Sequence, residues 1–321
     1  MPDHKHLQEI AKKFSKKALP DSEVELSGEI PFDTLAPYEK VALEGLAKEL
    51  ALPGFRPGHV PTDMARKKLG DIAIMEEQVE LLMRDFYPAL VEAQGLDAVG
   101  RPQIAITKLA VGNPVGIVAR TAVYPEVKLP RNWKGIGKNI PLEPILADEK
   151  SAASEGEKNA EKTPEEVKQD GERRDYLAKE KRRGAIIDAL LAKVEVTVPK
   201  VFVESELEKI MAQLKDDIAR FSAQAAGTAL PFEAYLKGIG KTEESLRDEF
   251  RAQAASRAKL QITLNKIAEE EKLEAEPEAI ENEMKHALEH FPDARPDLLR
   301  IHIATVLRNE KILQLLEEGD K

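Results

Sequence analysis

The histidines are the residues best suited to metal binding or proton transfer, and there are six of them: His4, His6, His59, His286, His290 and His302. His286 and His290 are four residues apart, which places both on one face of a predicted helix and is compatible with a shared metal ion. The surrounding segment, MKHALEHF, lacks the order of an H-E-x-x-H motif, and the chain has no cysteine. We therefore interpret the pair as solvated helix residues and expect no metal site.

Other catalytic signatures are missing from the sequence. There is no G-x-S-x-G elbow for a serine nucleophile and no G-x-x-x-x-G-K-[ST] or G-x-G-x-x-G loop for phosphates. The lack of cysteine excludes disulfides, thiolate zinc sites and cysteine nucleophiles. Carboxylates are so numerous that no pair can be singled out as a general acid and base. The residues alone therefore predict neither a catalytic site nor a cofactor.

One loop is chemically distinctive: Gly54-Phe55-Arg56-Pro57-Gly58-His59-Val60-Pro61. Glycine permits tight backbone geometry and proline restricts the remainder, so a loop rich in both holds its side chains in place. Phe55 next to Arg56 suits docking onto an acidic or phosphate-rich surface. The alternative is an ordinary interhelical loop in which Phe55 turns inward.

The distribution of charge favours binding of an anionic partner at one local patch over binding across a wholly basic surface. The net charge is −10, whereas proteins that coat nucleic acid are basic. Residues 1–126 hold 15 Lys+Arg and 19 Asp+Glu, which gives −4. Within them, residues 54–68 hold four cationic side chains and one carboxylate, which gives +3. An anionic partner would therefore meet this patch.

The elements around the loop predict a small α+β domain. Residues 22–31 alternate between apolar and polar positions, as a half-buried strand does. Helices are predicted at 38–50, 62–69 and 72–94, and β-branched residues favour strands at 103–110 and 115–124. We expect an antiparallel sheet with helices on one face, and a frayed N-terminus around His4 and His6.

Beyond this domain the composition changes twice. Residues 127–147 are irregular and rich in glycine and proline, and residues 147–175 hold ten acidic and six basic residues with no aromatic side chain. Such a segment cannot bury enough apolar surface to become ordered, so it is predicted to be a flexible tether. The predicted organisation is an α+β domain at 1–127, a linker and tether at 128–175, and an elongated all-α domain at 176–321.

The helical domain has long helices with modest apolar stripes, which favours arms around a cleft over a thick core. Its larger apolar side chains are candidates for a polypeptide-binding cradle, although each of them can instead belong to the core: Phe202, Met211, Phe221, Phe232, Tyr235, Met284 and Phe291. We find neither a signal peptide nor a membrane span, so we expect a cytoplasmic protein without membrane contact.

Several segments resemble a known family. The run GFRPGHVP closely resembles the GFRxGKxP signature of bacterial trigger factor, a ribosome-associated chaperone. Residues 18–127 look like the ribosome-binding domain of that family. The segments VPKVFVESELEKIMAQL and YLKGIGKTEESLRDEFRAQAASRAKLQITLNKIAEEE are similar to its C-terminal chaperone domain. The resemblance covers about residues 18–127 and 176–316.

The resemblance implies an ATP-independent chaperone that docks beside the exit tunnel of the large ribosomal subunit, on ribosomal protein and rRNA, and holds nascent or unfolded polypeptides. Carried over by position, the ribosome-binding residues are Gly54, Phe55, Arg56, Pro57, Gly58, His59 and Pro61. The family usually has lysine where this chain has His59, which implies weaker and pH-sensitive docking. A homodimer away from the ribosome is also possible.

The family usually carries a prolyl-isomerase domain of about 90 residues, similar to the FK506-binding fold, between these two parts. Here the tether occupies that place, so we predict that the chain lacks prolyl isomerase activity. Two alternatives stay open at this stage. The chain could still be a prolyl isomerase of this family, or it could be a holdase that works without the ribosome.

Overall fold

A computed structural model describes residues 4–53, 55–56, 59–144, 164–292 and 294–318. The chain divides into two compact units. The first comprises Met1–Pro125 with Thr197–Phe202, and the second comprises Glu126–Val196 with Val203–Lys321. Most of the predicted tether, at 145–163, lies outside the described residues.

The first unit is an α+β structure, as predicted. Its helices are α1 (His4–Ala11), α2 (Glu39–Glu49) and α3 (Thr62–Ala93), and a 3-10 helix at Phe32–Tyr38 leads into α2. Its strands are β1 (Ser15–Leu19), β2 (Glu23–Ile30), β3 (Ala98–Lys108) and β4 (Val115–Val123). They form one antiparallel sheet in the order β1-β2-β4-β3.

The N-terminal segment differs from the frayed terminus that we expected. Helix α1 buries Leu7 and Ile10, and the next segment pairs with β2 as an edge strand. Phe14 joins the two elements, because its ring lies 5.3 Å from that of Phe86 in the core. A Cβ atom added at Gly28 would lie only 2.6 Å from the Phe14 ring, so this position in β2 must be glycine. The sequence signal was weak because α1 is only eight residues long.

The core of the first unit lies between α3 and the sheet. Val79, Leu82 and Phe86 of α3 are almost fully buried and follow the three- and four-residue spacing of one helix face. They pack with the inward-facing residues of β2 and β4. The hydroxyl of Tyr38 donates to Asp85 at 2.7 Å, and burial together with this hydrogen bond raises the pKa of Tyr38.

Helix α3 is not continuous, because Gly70 interrupts it with φ 78° and ψ 163°. Side chains other than hydrogen are strained in this conformation, so glycine is needed there. The break separates a short helix at 62–69 from the long core helix, which agrees with the two helices predicted from sequence. It allows the first part of α3 to follow α2 while the second part follows the sheet.

The second unit is built from helices, as predicted. They are α4 (Pro164–Leu191), α5 (Lys200–Ala226), α6 (Phe232–Ile239), α7 (Glu243–Glu271), α8 (Pro277–His290) and α9 (Pro296–Glu318). The hydroxyl of Thr242 accepts from the amide of Ser245 at 3.1 Å, which confirms the N-cap predicted for α7. Pro277 stands in the first turn of α8, also as predicted.

The predicted linker and tether need correction at both ends. Helix α4 begins at Pro164, so residues 164–175 are helical and do not belong to a flexible tether. At the other end, Trp133 is buried in the first of two short 3-10 turns, and Ile136 is buried between them. Apolar residues separated by glycine and proline have no regular period, which is why sequence patterns describe this segment poorly.

Two arginines of α4 tie that segment to the C-terminal helix. Arg182 donates to the carbonyl oxygens of Ile140 at 2.9 Å, Gly137 at 3.0 Å and Glu317 at 3.2 Å. Arg183 donates to the carboxylates of Glu310 and Glu317, and these contacts raise its pKa. The hydrogen bonds give partners to carbonyl groups in a segment that has little regular structure and at the end of α9.

The break in α3 generates a stability prediction. We expect Gly70→Ala to lower the free energy of unfolding by about 1–2 kcal/mol, because a Cβ is strained at positive φ. The matched control is Gly45→Ala in α2, where a new Cβ also meets nothing within 4 Å. Since Gly45 is an ordinary helix position, we expect that change to stabilise the protein by up to about 1 kcal/mol. Urea unfolding followed by circular dichroism compares them, and equal effects would contradict a strained Gly70.

Candidate functional site

The loop between α2 and α3 is held at its base by a small apolar cluster. Ala47 of α2, Val60 of the loop and Ala65 of α3 are buried together. Half-buried leucines from the two helices and from the start of the loop surround them: Leu43, Leu50, Leu52 and Leu69. The carbonyl of Pro61 accepts from Met64 and Ala65 at 3.0 Å, which begins α3. Both ends of the loop are therefore fixed, and its tip projects from the helix pair.

Phe55 and Arg56 lie at this tip and are exposed, with 36% of Phe55 accessible. Turn hydrogen bonds hold them, because Phe55 N–H donates to Leu52 at 3.1 Å and His59 N–H donates to Arg56 at 3.0 Å. His59 and Pro61 are also exposed. Phe55 does not turn into the core, which was the alternative that the sequence left open. The other predicted loop residues, Gly54, Pro57 and Gly58, lie outside the described residues.

The cationic patch behind the loop is smaller than its sequence charge indicates. Arg66 makes ion pairs with Glu39 and, at 3.5 Å, with Asp71, so its charge is already compensated. Lys67 and Lys68 are exposed and make no ion pair among the described residues. Arg56 and these two lysines are the cations that remain available to an anionic partner.

The structure adds one apolar residue to this surface. Met64, in the first turn of α3, is 45% exposed and follows the loop closely. A flexible thioether adapts its shape to irregular partner surfaces. Sequence reasoning missed it, because a single methionine in the first turn of a helix carries no periodic signal.

The predicted cradle residues divide into three groups. Phe221 and Phe291 are 64% and 67% exposed, so they are accessible to a polypeptide. Met211 and Met284 are buried and belong to the core. Phe202 is half-buried in the first unit, with its ring 5.8 Å from that of Tyr124.

The remaining two candidates, Phe232 and Tyr235, are half-buried against the core of α5, α6 and α7. Their rings stack at 6.3 Å, and the ammonium group of Lys215 lies 4.8 Å from the Phe232 ring centre. Helical periodicity in the sequence could not distinguish core residues from surface residues, because apolar side chains of both kinds recur at similar spacing along a helix. The structure also exposes apolar residues that were not predicted: Tyr176, Leu230, Ile239, Leu298, Ile301 and Val306.

The histidine pair predicted to share a helix face lies at the end of α8. The rings of His286 and His290 lie 5.1 Å apart in an edge contact. The parts of the chain that the structure describes contain no group of three histidine, cysteine or acidic side chains able to hold a metal ion. Among the same residues, no helix is long and apolar enough to cross a membrane.

Comparison with family models gives two matches to one family. Residues 12–154 match the model of bacterial trigger factor protein, and residues 159–302 match the model of its C-terminus. The two models occur in order and are separated only by residues 155–158. The loop lies in the first match, and the exposed aromatic residues Phe221 and Phe291 lie in the second.

Individual relatives and a solved structure agree with this result. The trigger factor of Frankia casuarinae is 36% identical over 118 residues, which cover 37% of this chain and 24% of that protein. The Corynebacterium glutamicum trigger factor is 32% identical over 139 residues, which cover 43% of this chain and 30% of that protein. The match therefore spans less than a third of either relative.

A longer alignment is made with the Thermus thermophilus trigger factor, which is 25% identical over 92% of this chain and 75% of its own length. A solved trigger factor chaperone structure, described in terms of promiscuous substrate recognition in folding and assembly, has the same fold. It matches with a TM-score of 0.53 at 16% identity over 95% of this chain and 99% of that one. Since two models of one family match consecutive parts of the chain in order, and the fold agrees, the chain belongs to the bacterial trigger factor family.

Proposed function

We propose that this protein is an ATP-independent chaperone that docks at the ribosomal exit tunnel and holds nascent or unfolded polypeptides. The observation that carries the proposal is the exposed pair Phe55 and Arg56 on a loop whose base is fixed. This loop lies within the part of the chain that matches the trigger factor model. The site requires no nucleotide, because neither docking nor holding involves a chemical step.

Docking combines an apolar anchor with charge. Phe55 offers an aromatic surface for a pocket on ribosomal protein, and the planar guanidinium of Arg56 can pair with a carboxylate or an rRNA phosphate. Lys67 and Lys68 add phosphate contacts that carry no sequence specificity. Because Arg66 is engaged with Glu39 and Asp71, it supports α3 and does not contribute a free charge.

Clients bind to the exposed apolar residues of the helical unit. Phe221 and Phe291 are accessible aromatic anchors, and Leu298 and Ile301 lie one turn apart on α9. Several separate contacts, each of them weak, give useful affinity when one flexible chain engages them together. Such binding is reversible without ATP, because each contact can be released separately.

Prolyl isomerase activity does not belong to the proposed function. Only residues 155–158 separate the two matched regions, which leaves no interval for a domain of about 90 residues between them. The chain acts in the cytoplasm and can form a homodimer away from the ribosome. A ribosome-independent holdase is the second candidate, and the exposed side chains of the helical unit favour it equally.

The first prediction from the proposed function concerns ribosome docking. We expect Phe55→Ala with Arg56→Ala to weaken co-sedimentation with ribosomes at least about tenfold, because it removes both an aromatic and an arginine anchor. The control replaces the same two residue types outside the loop, with the changes Arg220→Ala and Phe221→Ala. It should pellet as the parent does. Equal co-sedimentation of all three proteins would remove the docking claim and leave the ribosome-independent holdase.

His59 supplies a second arm of the same experiment. His59→Lys should increase the amount pelleted at low salt and steepen the salt dependence, because about one more cation meets the phosphate surface. An unchanged salt dependence would show that position 59 does not face phosphate.

The second prediction concerns client holding. We expect Phe221→Ser, Phe291→Ser and Ile301→Ser together to reduce suppression of aggregation when denatured lysozyme is diluted, because they remove accessible apolar surface. The control, Val41→Ser with Ile72→Ser, alters two exposed apolar residues of the first unit. Loss of holding in the control alone would place the client surface in the first unit and contradict this prediction.

The third prediction concerns catalysis. A protease-coupled assay with a proline-containing peptide should show cis-trans isomerisation at the uncatalysed rate, over tens of seconds at 25 °C. A dose-dependent rate above background that survives further purification would establish an isomerase and reject this part of the proposal.

A further inference from the structure

The first unit contains a large apolar groove that the proposed function does not use. It has a volume of about 750 Å³ and lies between α3 and β3. Its floor and walls are mainly apolar, with Leu46, Met83, Tyr87, Pro102, Ile104 and Ile106. The docking loop does not line it, so the groove is a separate site on the same unit.

The groove exists because the core face of the sheet is incompletely covered. Ile104 and Ile106 pair across the sheet with Ala119 and Ile117 of β4, and directly paired residues point to the same face. Ala119 and Ile117 are buried beneath α3, whereas Ile104 and Ile106 are 40% and 39% exposed. Ile104 and Ile106 therefore lie on the face of the sheet that α3 packs against, but at this edge strand α3 covers them only in part.

Strand β3 also offers backbone groups. It is the last strand in the order β1-β2-β4-β3, so within the described residues one side of its backbone has no strand partner. Such an edge can accept a further extended segment, whose alternate side chains would then enter the groove. An extended segment fits this geometry better than a helix, because its backbone groups need the pairing that the edge supplies.

The rim of the groove is acidic. Glu76, Glu77 and Glu80 line it, and the only cation in the lining, Arg84, is paired with Glu80 at 3.0 Å. Glu76 and Glu77 make no ion pair among the described residues, so their charge is available to a bound cation. A rim of this sign selects for lysine or arginine in the occupant and against carboxylates.

We propose that this groove binds extended segments of unfolded polypeptide in which apolar residues alternate with lysine or arginine. The segment adds a strand to β3, its apolar side chains contact Ile104 and Ile106, and its cations face Glu76 and Glu77. The first unit thus has a polypeptide-binding site of its own, which is independent of the docking loop. The tether of this chain is a poor occupant, because residues 147–163 contain no large apolar side chain.

The test is fluorescence anisotropy of the full chain with a labelled nine-residue peptide in which valine or isoleucine alternates with lysine. Ile104→Thr with Ile106→Thr should weaken binding about tenfold, since it removes apolar contact while retaining β-branched residues in the strand. Ile72→Thr, an exposed isoleucine of α3 outside the groove, is the matched control and should bind as the parent does.

Charge is tested separately. Glu76→Gln with Glu77→Gln should weaken binding of the lysine peptide several-fold at low salt and leave a serine version of the peptide unaffected. Glu49→Gln on α2 is the control. Ribosome pelleting of every groove variant should equal that of the parent, so failure here is distinguishable from failure of the docking proposal.

Three results would overturn the proposal. The first is unchanged peptide binding in the Ile104 and Ile106 variant while circular dichroism shows a folded protein. The second is equal binding of a peptide with glutamate in place of lysine. The third is a dimer in sedimentation that the isoleucine changes dissociate, because the groove would then belong to a second copy of the chain.

Discussion

The packing of α3 on the sheet, interrupted at Gly70, is the constraint on which the first unit depends. The buried stripe through Val79, Leu82 and Phe86 fixes the long part of the helix. The positive φ at Gly70 then turns the short part toward α2. This geometry places the loop at the free end of a helix pair, away from the core. The same packing leaves β3 partly uncovered and so creates the acidic-rimmed groove.

The second unit depends on a different kind of interaction. Its helices bury many small and aliphatic side chains, but a segment without regular structure must also be held against them. Arg182 donates to three carbonyl oxygens at once, and Arg183 pairs with two carboxylates of α9. Guanidinium groups suit this task because their donors form a rigid fork. Polar contacts as well as burial therefore hold this segment and α9 against α4.

In both units an exposed aromatic residue stands next to a buried, well-packed support. Phe55 stands on a loop whose ends are buried, and Phe291 follows α8, whose Met284 is buried. Single exposed apolar residues are common on protein surfaces, but one that is held on a fixed loop or at a helix end is well placed to contact a partner. The proposed docking by one unit and client holding by the other need this arrangement in both.

Sequence by itself determined the loop, the family and most of the element types, because these rest on local signals. The exceptions are α1, β1 and the first turns of α4. Helical and strand periods, the N-cap at Thr242 and the run GFRPGHVP are readable without coordinates. Only the tertiary structure decided which residues of a stripe are covered: Met211 is buried while Phe221 is exposed, and Arg66 is paired while Lys67 is free of ion pairs among the described residues. The reason is that burial and pairing depend on elements distant along the chain, which a local pattern does not specify.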